Sequence, residues 1–174
     1  IKKNNKFYEI EGVGLGGFNY NENHVVNAGN SGTFARLFCG LLAKNKKKIE
    51  LVGDKSLSKR DFSRVIKPLS KFGISLYSKN NCLPLKLMGT DFLRPIFYFE
   101  KKGSAQVKSS IMLASLNTPG TTIVKCLPSR DHTEKMFKNC IKIPISIKKE
   151  NKYEIIKIRG LKNYNGFNYN VPGD

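Results

Sequence analysis

Apolar and polar positions along the chain switch between a period near two and a period near 3.6, and the order of the switches repeats. His24 to Ala28 reads as a short strand. Gly32 to Ala43 follows as a helix, with Phe34, Leu37, Phe38, Leu41 and Leu42 on one face. Asn30 and Ser31 supply N-cap chemistry just before it. Ile49 to Val52 is a strand, and Asp61 to Phe72 a second helix with Phe62, Val65, Ile66, Leu69 and Phe72 on one face. Pro68 predicts a kink or an early end there, and Gly73 a stop. Ile74 to Ser78 and Leu85 to Met88 are strands joined by the polar turn Lys79-Asn80-Asn81. The same order then recurs: strand Ile96 to Phe99, helix Ser104 to Leu116, strand Thr121 to Cys126, helix Asp131 to Ile141, strands Ile145 to Lys149 and Tyr153 to Ile158.

The repeat is also visible in the residues themselves. Lys59-Arg60-Asp61 returns as Ser129-Arg130-Asp131, and Gly89 and Gly160 close the two copies. Each copy is a βαβαββ unit. One such unit cannot bury its helices alone, so the copies must pack around shared buried helices. Phe7 to Gly12 reads as the last strand of another, truncated copy, and the Asn- and aromatic-rich stretch Asn163 to Asn170 as a linker.

With 174 residues and 40% apolar content, the chain suits an ordinary globular domain with a real core. No apolar run reaches the length of a membrane span, and no secretory signal opens the sequence. Four cysteines lie at 39, 82, 126 and 140, with no Cys-x-x-Cys spacing, so no metal site is expected. Cys39 and Cys126 read as small buried hydrophobes, and the compartment as reducing and cytoplasmic. Net charge is +18, which suits a nucleic-acid-binding surface. Yet 25 of the 31 basic residues are lysines, scattered except at Lys46-Lys47-Lys48. Lys, Asn and Ile share A/T-rich codons, so compositional drift accounts for most of the excess, and part of it serves anionic small substrates.

Candidate chemistry gathers at matching places in the copies. Gly29-Asn30-Ser31-Gly32-Thr33 and Gly103-Ser104-Ala105-Gln106 each combine glycine with small polar residues at a helix start. Free N–H groups and the positive helix end favour an anion there, although any helix also needs a cap. Ser56-Leu57-Ser58-Lys59-Arg60 and Pro128-Ser129-Arg130-Asp131-His132 each bring an Arg to a helix N-terminus, where the dipole disfavours it. A fork onto phosphate or carboxylate explains such a placement. Together these segments predict a site for a multiply anionic ligand. His132 could serve as acid or base, as an imidazole can, but with no partner legible it reads as a packing residue. Lys108 faces either ligand or solvent, and His24 is given no role.

Taken in order, Asn30-Ser31-Gly32-Thr33 with Arg36, Gly53-Asp54 with Ser56-Leu57-Ser58-Lys59-Arg60, Ser104-Ala105-Gln106-Val107-Lys108-Ser109 and Ser129-Arg130-Asp131-His132-Thr133-Glu134 resemble the 5-enolpyruvylshikimate-3-phosphate synthases. Val171-Pro172-Gly173-Asp174 is similar to the segment that opens that family's C-terminal domain. The resemblance runs from about Phe7 to Asp174. It implies an α/β fold, the inside-out α/β barrel of enolpyruvyl transferases built from βαβαββ units. Residues 1–23 would end a truncated first unit, 24–90 form the second and 91–162 the third. Residues 163–174 would be a linker and the start of a C-terminal domain. The implied reaction joins shikimate 3-phosphate and phosphoenolpyruvate with release of phosphate, and needs no metal or organic cofactor.

By the same resemblance, Asn30, Gly32, Arg60 and Gln106 look like phosphoenolpyruvate contacts. Ser104, Ala105, Gln106, Ser129 and Arg130 look like shikimate 3-phosphate contacts. The family's early Lys-Ser segment would precede Ile1 and its acid/base residues would follow Asp174, so the chain reads as a fragment that is inactive alone and monomeric at full length. At Asn139-Cys140-Ile141 the chain departs from the family, whose members usually carry Gly before the next strand. Two rivals are weighed. The enolpyruvyl transferase that acts on UDP-N-acetylglucosamine shares fold and mechanism, but the two Arg segments do not resemble it. A basic RNA-binding domain would need stacking aromatics, for which Phe97-Tyr98-Phe99 is the one candidate.

Overall fold

A computed structural model describes residues 1–160 and 164–171. Its elements are β1 (Lys2–Asn4), β2 (Phe7–Glu9), β3 (His24–Asn27), α1 (Gly32–Leu41), β4 (Ile49–Val52), α2 (Ser63–Lys71), β5 (Ser75–Ser78), β6 (Leu85–Met88), β7 (Phe97–Glu100), α3 (Ala105–Ser115), β8 (Thr121–Cys126), α4 (His132–Lys135), β9 (Ile145–Glu150) and β10 (Tyr153–Arg159). β1 and β2 form a separate antiparallel hairpin. The other strands make two four-stranded sheets of the same design, ordered β3-β4-β6-β5 and β7-β8-β10-β9. In each, the first two strands run parallel across an intervening helix, and the last two return antiparallel.

Each sheet buries one face. Ile49, Leu51, Leu85 and Leu87 of the first sheet and Val124, Ile156 and Ile158 of the second enter one core with Val65, Leu69 and Phe72 of α2 and Ile111 and Met112 of α3. Alternation along the strands produces this, because successive side chains point to opposite faces. Val107 through Met112 of α3 are buried without a break, including Lys108, Ser109 and Ser110. A helix covered on all sides lies inside the fold, so α3 is interior, packed against α1, α2 and the second sheet.

The two closing glycines have a shared reason. A Cβ on Gly89 would lie 2.4 Å from the Ala43 carbonyl oxygen, and one on Gly160 would lie 2.1 Å from that of Thr118. In both units the last strand therefore ends against backbone just beyond the first helix, with no room for a side chain.

Several elements differ from the pattern read in sequence. The face of α1 formed by Phe34, Leu37, Phe38 and Leu41 is only half-covered, and Phe34 is 42% exposed. The buried face is Gly32, Ala35, Cys39 and Gly40. A Cβ on Gly40 would meet the Ser110 carbonyl oxygen at 2.2 Å, so the crossing with α3 selects small residues rather than large ones. Helix α2 begins at Ser63 because the Asp61 carboxylate takes the Ser63 N–H (2.7 Å) and hydroxyl (2.7 Å). It runs through Pro68 to Lys71. Helix α4 widens after one turn into a π-helical turn, Met136–Cys140, which buries Phe137. Lys142 then takes φ 54°, the left-handed conformation that glycine adopts most readily. Strand β1 is all polar apart from its geometry, and carries no apolar signal. Tyr164 anchors the tail by donating to the Leu116 carbonyl (3.1 Å), and 164–171 holds no helix or strand. The remainder of the stretch similar to the family's C-terminal opening, 172–174, lies outside the described residues, as does Asn163.

Candidate substrate site

The starts of α1 and α3 are built alike. Ser31 caps α1 by accepting the Phe34 N–H (3.1 Å), and Ser104 caps α3 by accepting that of Val107 (3.4 Å). Before each cap the chain passes through a left-handed glycine, Gly29 at φ 56° and Gly103 at φ 64°. These turns bring two helix N-termini to one end of the molecule. Beside them arrive the segments before α2 and α4, which carry Arg60 and Arg130.

Two cavities result. The larger, about 420 Å³, is lined by Arg36, Arg60, Asp61, Arg64, Ser104, Gln106 and Val107. The smaller, about 140 Å³, includes Ala105, Gln106, Ser109, Arg130, His132 and Thr133. Gln106 stands between them and is held from both sides. Its carbonyl oxygen accepts from Arg36 Nη1 (2.9 Å), and its amide nitrogen donates to the Thr33 hydroxyl (2.7 Å).

The larger cavity is strongly cationic. Arg64 is satisfied by the buried Glu100 carboxylate (2.8 Å). Glu100 also accepts the N–H groups of Lys102 (3.2 Å) and Ser104 (2.9 Å), which fixes the loop into α3. Arg36 instead donates to neutral oxygens of Gly32 (3.4 Å), Gln106 and Asp61 (3.3 Å), and lies over the Phe62 ring. Arg60 donates to the Asn30 side chain (3.2 Å), whose amide in turn donates to Asp54 (2.6 Å). Among the described residues, Arg36, Arg60 and Arg130 have no carboxylate within ion-pair distance. Burial lowers the Arg36 pKa from its ordinary value, and the Arg60 and Arg64 charges lower it further. The nearby carboxylates are engaged locally. Asp54 is held below the usual range first by the Leu57 N–H, and Asp61 first by the Ser63 hydroxyl. Two guanidiniums with room in front of them and no carboxylate in ion-pair contact suit an anionic ligand.

The structure brings Gly32, Arg60, Gln106 and Ser104 to the larger cavity and Ala105, Gln106 and Arg130 to the smaller. Ser104 thus faces the Arg60 side rather than the Arg130 side. Asn30 lines neither and braces Arg60. Ser129 also lines neither, and its hydroxyl is buried without a hydrogen-bond partner. His132 is exposed at the smaller cavity, which corrects its reading as a packing residue. Lys108 corrects both alternatives read in sequence: it is fully buried and ion-paired with the equally buried Glu134. Cys39 and Cys126 are buried free thiols, as expected. Phe97-Tyr98-Phe99 forms most of an edge strand, where Phe99 packs edge-on against Tyr153.

Arg36 and Arg64 were not singled out as ligand contacts by sequence. Each falls four positions after a predicted contact, Gly32 and Arg60, which is the signal that could have found it. Among the described residues, no helix is long and apolar enough to cross a membrane, and no group of three or more His, Cys, Asp or Glu gathers as metal ligands.

Comparison with known proteins agrees with this arrangement. The family described as EPSP synthase (3-phosphoshikimate 1-carboxyvinyltransferase) matches residues 1–174. A 3-phosphoshikimate 1-carboxyvinyltransferase of Ruthia magnifica subsp. Calyptogena magnifica is 44% identical over 100% of this chain and 39% of its own length. The enzyme of the same name from Novosphingobium aromaticivorans is 39% identical over 96% of this chain and 38% of its own. The solved EPSP synthase of Acinetobacter baumannii superposes with a TM-score of 0.76 at 35% identity, covering 89% of this chain and 34% of that one. The chain therefore spans about two fifths of the length of the curated relatives it matches. With that match over its whole length, and with the repeated units and paired anion cavities of its own structure, the chain belongs to the EPSP synthase family.

Proposed function

We propose that the full-length protein containing this chain transfers the enolpyruvyl group of phosphoenolpyruvate to the 5-hydroxyl of shikimate 3-phosphate, releasing phosphate, and that this chain supplies the N-terminal part of the substrate site. The observation that carries the reading is the pair of cationic cavities on either side of Gln106. The larger receives phosphoenolpyruvate, with Arg60 and Gln106 as contacts, Gly32 leaving room and Asn30 bracing Arg60. Arg36 joins this set, which sequence alone did not assign. The smaller receives shikimate 3-phosphate, with Arg130 on the phosphate and Ala105 and Gln106 along the ring. Ser104, at the α3 cap, and Ser129, next to Arg130 in the chain, complete that set.

Both ligands are multiply anionic, so forks of N–H donors and helix N-termini suit them. The chain's contribution to rate is positioning and charge stabilisation. The 5-hydroxyl adds to C2 of the enol group as C3 takes a proton, and the tetrahedral adduct then expels phosphate. Acid and base groups for those proton transfers would come from outside this chain. On this reading residues 1–23 end a first βαβαββ unit, 24–90 and 91–162 are the second and third, and 163–174 lead to a C-terminal domain. The full-length protein is a cytoplasmic monomer without cofactor, acting on small molecules and not on nucleic acid or membrane. The test is steady-state phosphate release by that protein. Release that requires both substrates together is expected; release from phosphoenolpyruvate alone, or none with both present, would overturn the proposal.

A further inference from the structure

The Lys108–Glu134 ion pair is buried completely, with Lys108 0% and Glu134 3% exposed. Glu134 Oε2 has no hydrogen-bond partner. Taking two charges out of water is costly, and such a pair is weak evidence for a stabilising role. The fold does not demand it either. The N-cap serines align Ser31 with Ser104, and hence Ala35 with Lys108. The repeated arginines align Arg60 with Arg130, and hence Arg64 with Glu134. In the first unit Ala35 is fully buried at the position of Lys108, and Arg64 pairs with Glu100 instead. One unit of this topology thus packs without the pair.

The pair joins two elements that matter to the smaller cavity. Lys108 lies one turn beyond Ala105 on α3, and Glu134 lies on α4, four positions after Arg130 in the chain. Beside it, the Ser109 and Thr133 hydroxyls are hydrogen-bonded at 2.7 Å. Helix α4 has only four residues and runs straight into a π-helical turn. It has no side-chain cap bond at Asp131. Its start is therefore oriented by what it packs against. The aligned helix α2 carries Asp61 bonds at its start.

We infer that Lys108 and Glu134 are positioning residues: their buried ion pair locks the segment carrying Ser129, Arg130 and His132 onto α3, and so sets the distance between Arg130 and Gln106 for the phosphate of the larger substrate. The inference rests on the proposed function of the same site. A direct consequence is selectivity between substrates. Misplacing a contact by about 1 Å can cost roughly 100-fold, and here the loss falls on the cavity of Arg130, not on that of Arg60.

The test is the full-length protein carrying Lys108→Met with Glu134→Leu, which removes both charges and leaves neither unpaired. The expected result is a rise of about tenfold or more in the KM for shikimate 3-phosphate, with the KM for phosphoenolpyruvate changed less than about threefold. Equal changes in both constants, or none in either, overturn the inference. Hydrogen–deuterium exchange on the unaltered protein decides the question even if the double variant does not fold. The amides of Lys135 and Met136, which donate to the Asp131 and His132 carbonyls, must be protected before any ligand is added, and free exchange there overturns the locking role. Absence of turnover by the unaltered protein would instead overturn the proposed function itself, so the two failures are distinguishable.

Discussion

Gly32 sits against two guanidiniums that line the larger cavity. A Cβ there would lie 2.8 Å from Arg36 Nη1 and 3.0 Å from Arg60 Nη1. Both atoms end flexible side chains, so Gly32→Ala should fold and push the guanidiniums out of place. The expected outcome in the full-length protein is a rise of roughly three- to tenfold in the KM for phosphoenolpyruvate with an unchanged melting temperature, read by initial rates and calorimetry. The cysteines give a second prediction at this scale. Burial pushes the Cys39 thiol from 9.0 up to about 12, and that of Cys126 to about 11, while Cys82 and Cys140 are only half-buried. The folded chain then holds protons that the unfolded chain loses, so the stability from these two thiols is fully present below about pH 9 and is lost as pH rises toward 11 to 12. A thiol-specific reagent near neutral pH should label Cys82 and Cys140 fast, and Cys39 and Cys126 only after unfolding. Rapid native labelling of Cys39 would contradict its burial. Arg60, Arg130 and Gln106 were legible in sequence because the repeat doubles the signal. The Lys108–Glu134 pair was not, since nothing local marks two residues 26 positions apart in the chain as partners.

Elements show the same division between local and tertiary control. Strands with a clean alternation, such as Ile49–Val52, Leu85–Met88 and Thr121–Cys126, stand where the sequence placed them. Helix ends shifted wherever a side chain competed for backbone donors, as Asp61 does before α2. The π-helical turn after α4 buries Phe137, and a 3.6-residue period could not anticipate it. For α1, periodicity found the large apolar residues, but the crossing with α3 buries the small ones. The closing glycines make the element-scale prediction. A Cβ at Gly160 meets backbone of Ser115 and Thr118, which cannot move cheaply. Gly160→Ala should lower stability by about 1–3 kcal/mol, as overpacking does, seen as a lower urea midpoint with an unchanged slope. A midpoint equal to the parent's would show that the β10 end is looser than drawn.

At the scale of the molecule, two units of one design place two helix N-termini and two helix-leading arginines at one end, with α3 buried at the centre. The repeat in the sequence was enough to read that architecture. It was not enough to separate the cavities, because Gln106 divides them only when α1 and α3 cross and Arg36 and Thr33 hold its side chain. Surface pairs such as Lys46–Asp91 and Lys125–Glu150 are neutral as pairs and leave the net charge of +18 unchanged. The unpaired arginines of the site are a small and localised share of it.

The central claim is that these two cavities hold two different anionic substrates. It is tested most directly by measuring both KM values in the full-length protein with Arg60→Ala and with Arg130→Ala. The account predicts a crossed result: Arg60→Ala raises the KM for phosphoenolpyruvate by about tenfold or more, Arg130→Ala does so for shikimate 3-phosphate, and each leaves the other constant within about threefold, as loss of a charge-assisted fork to one ligand requires. Two variants that weaken the same substrate, or both substrates alike, would contradict it.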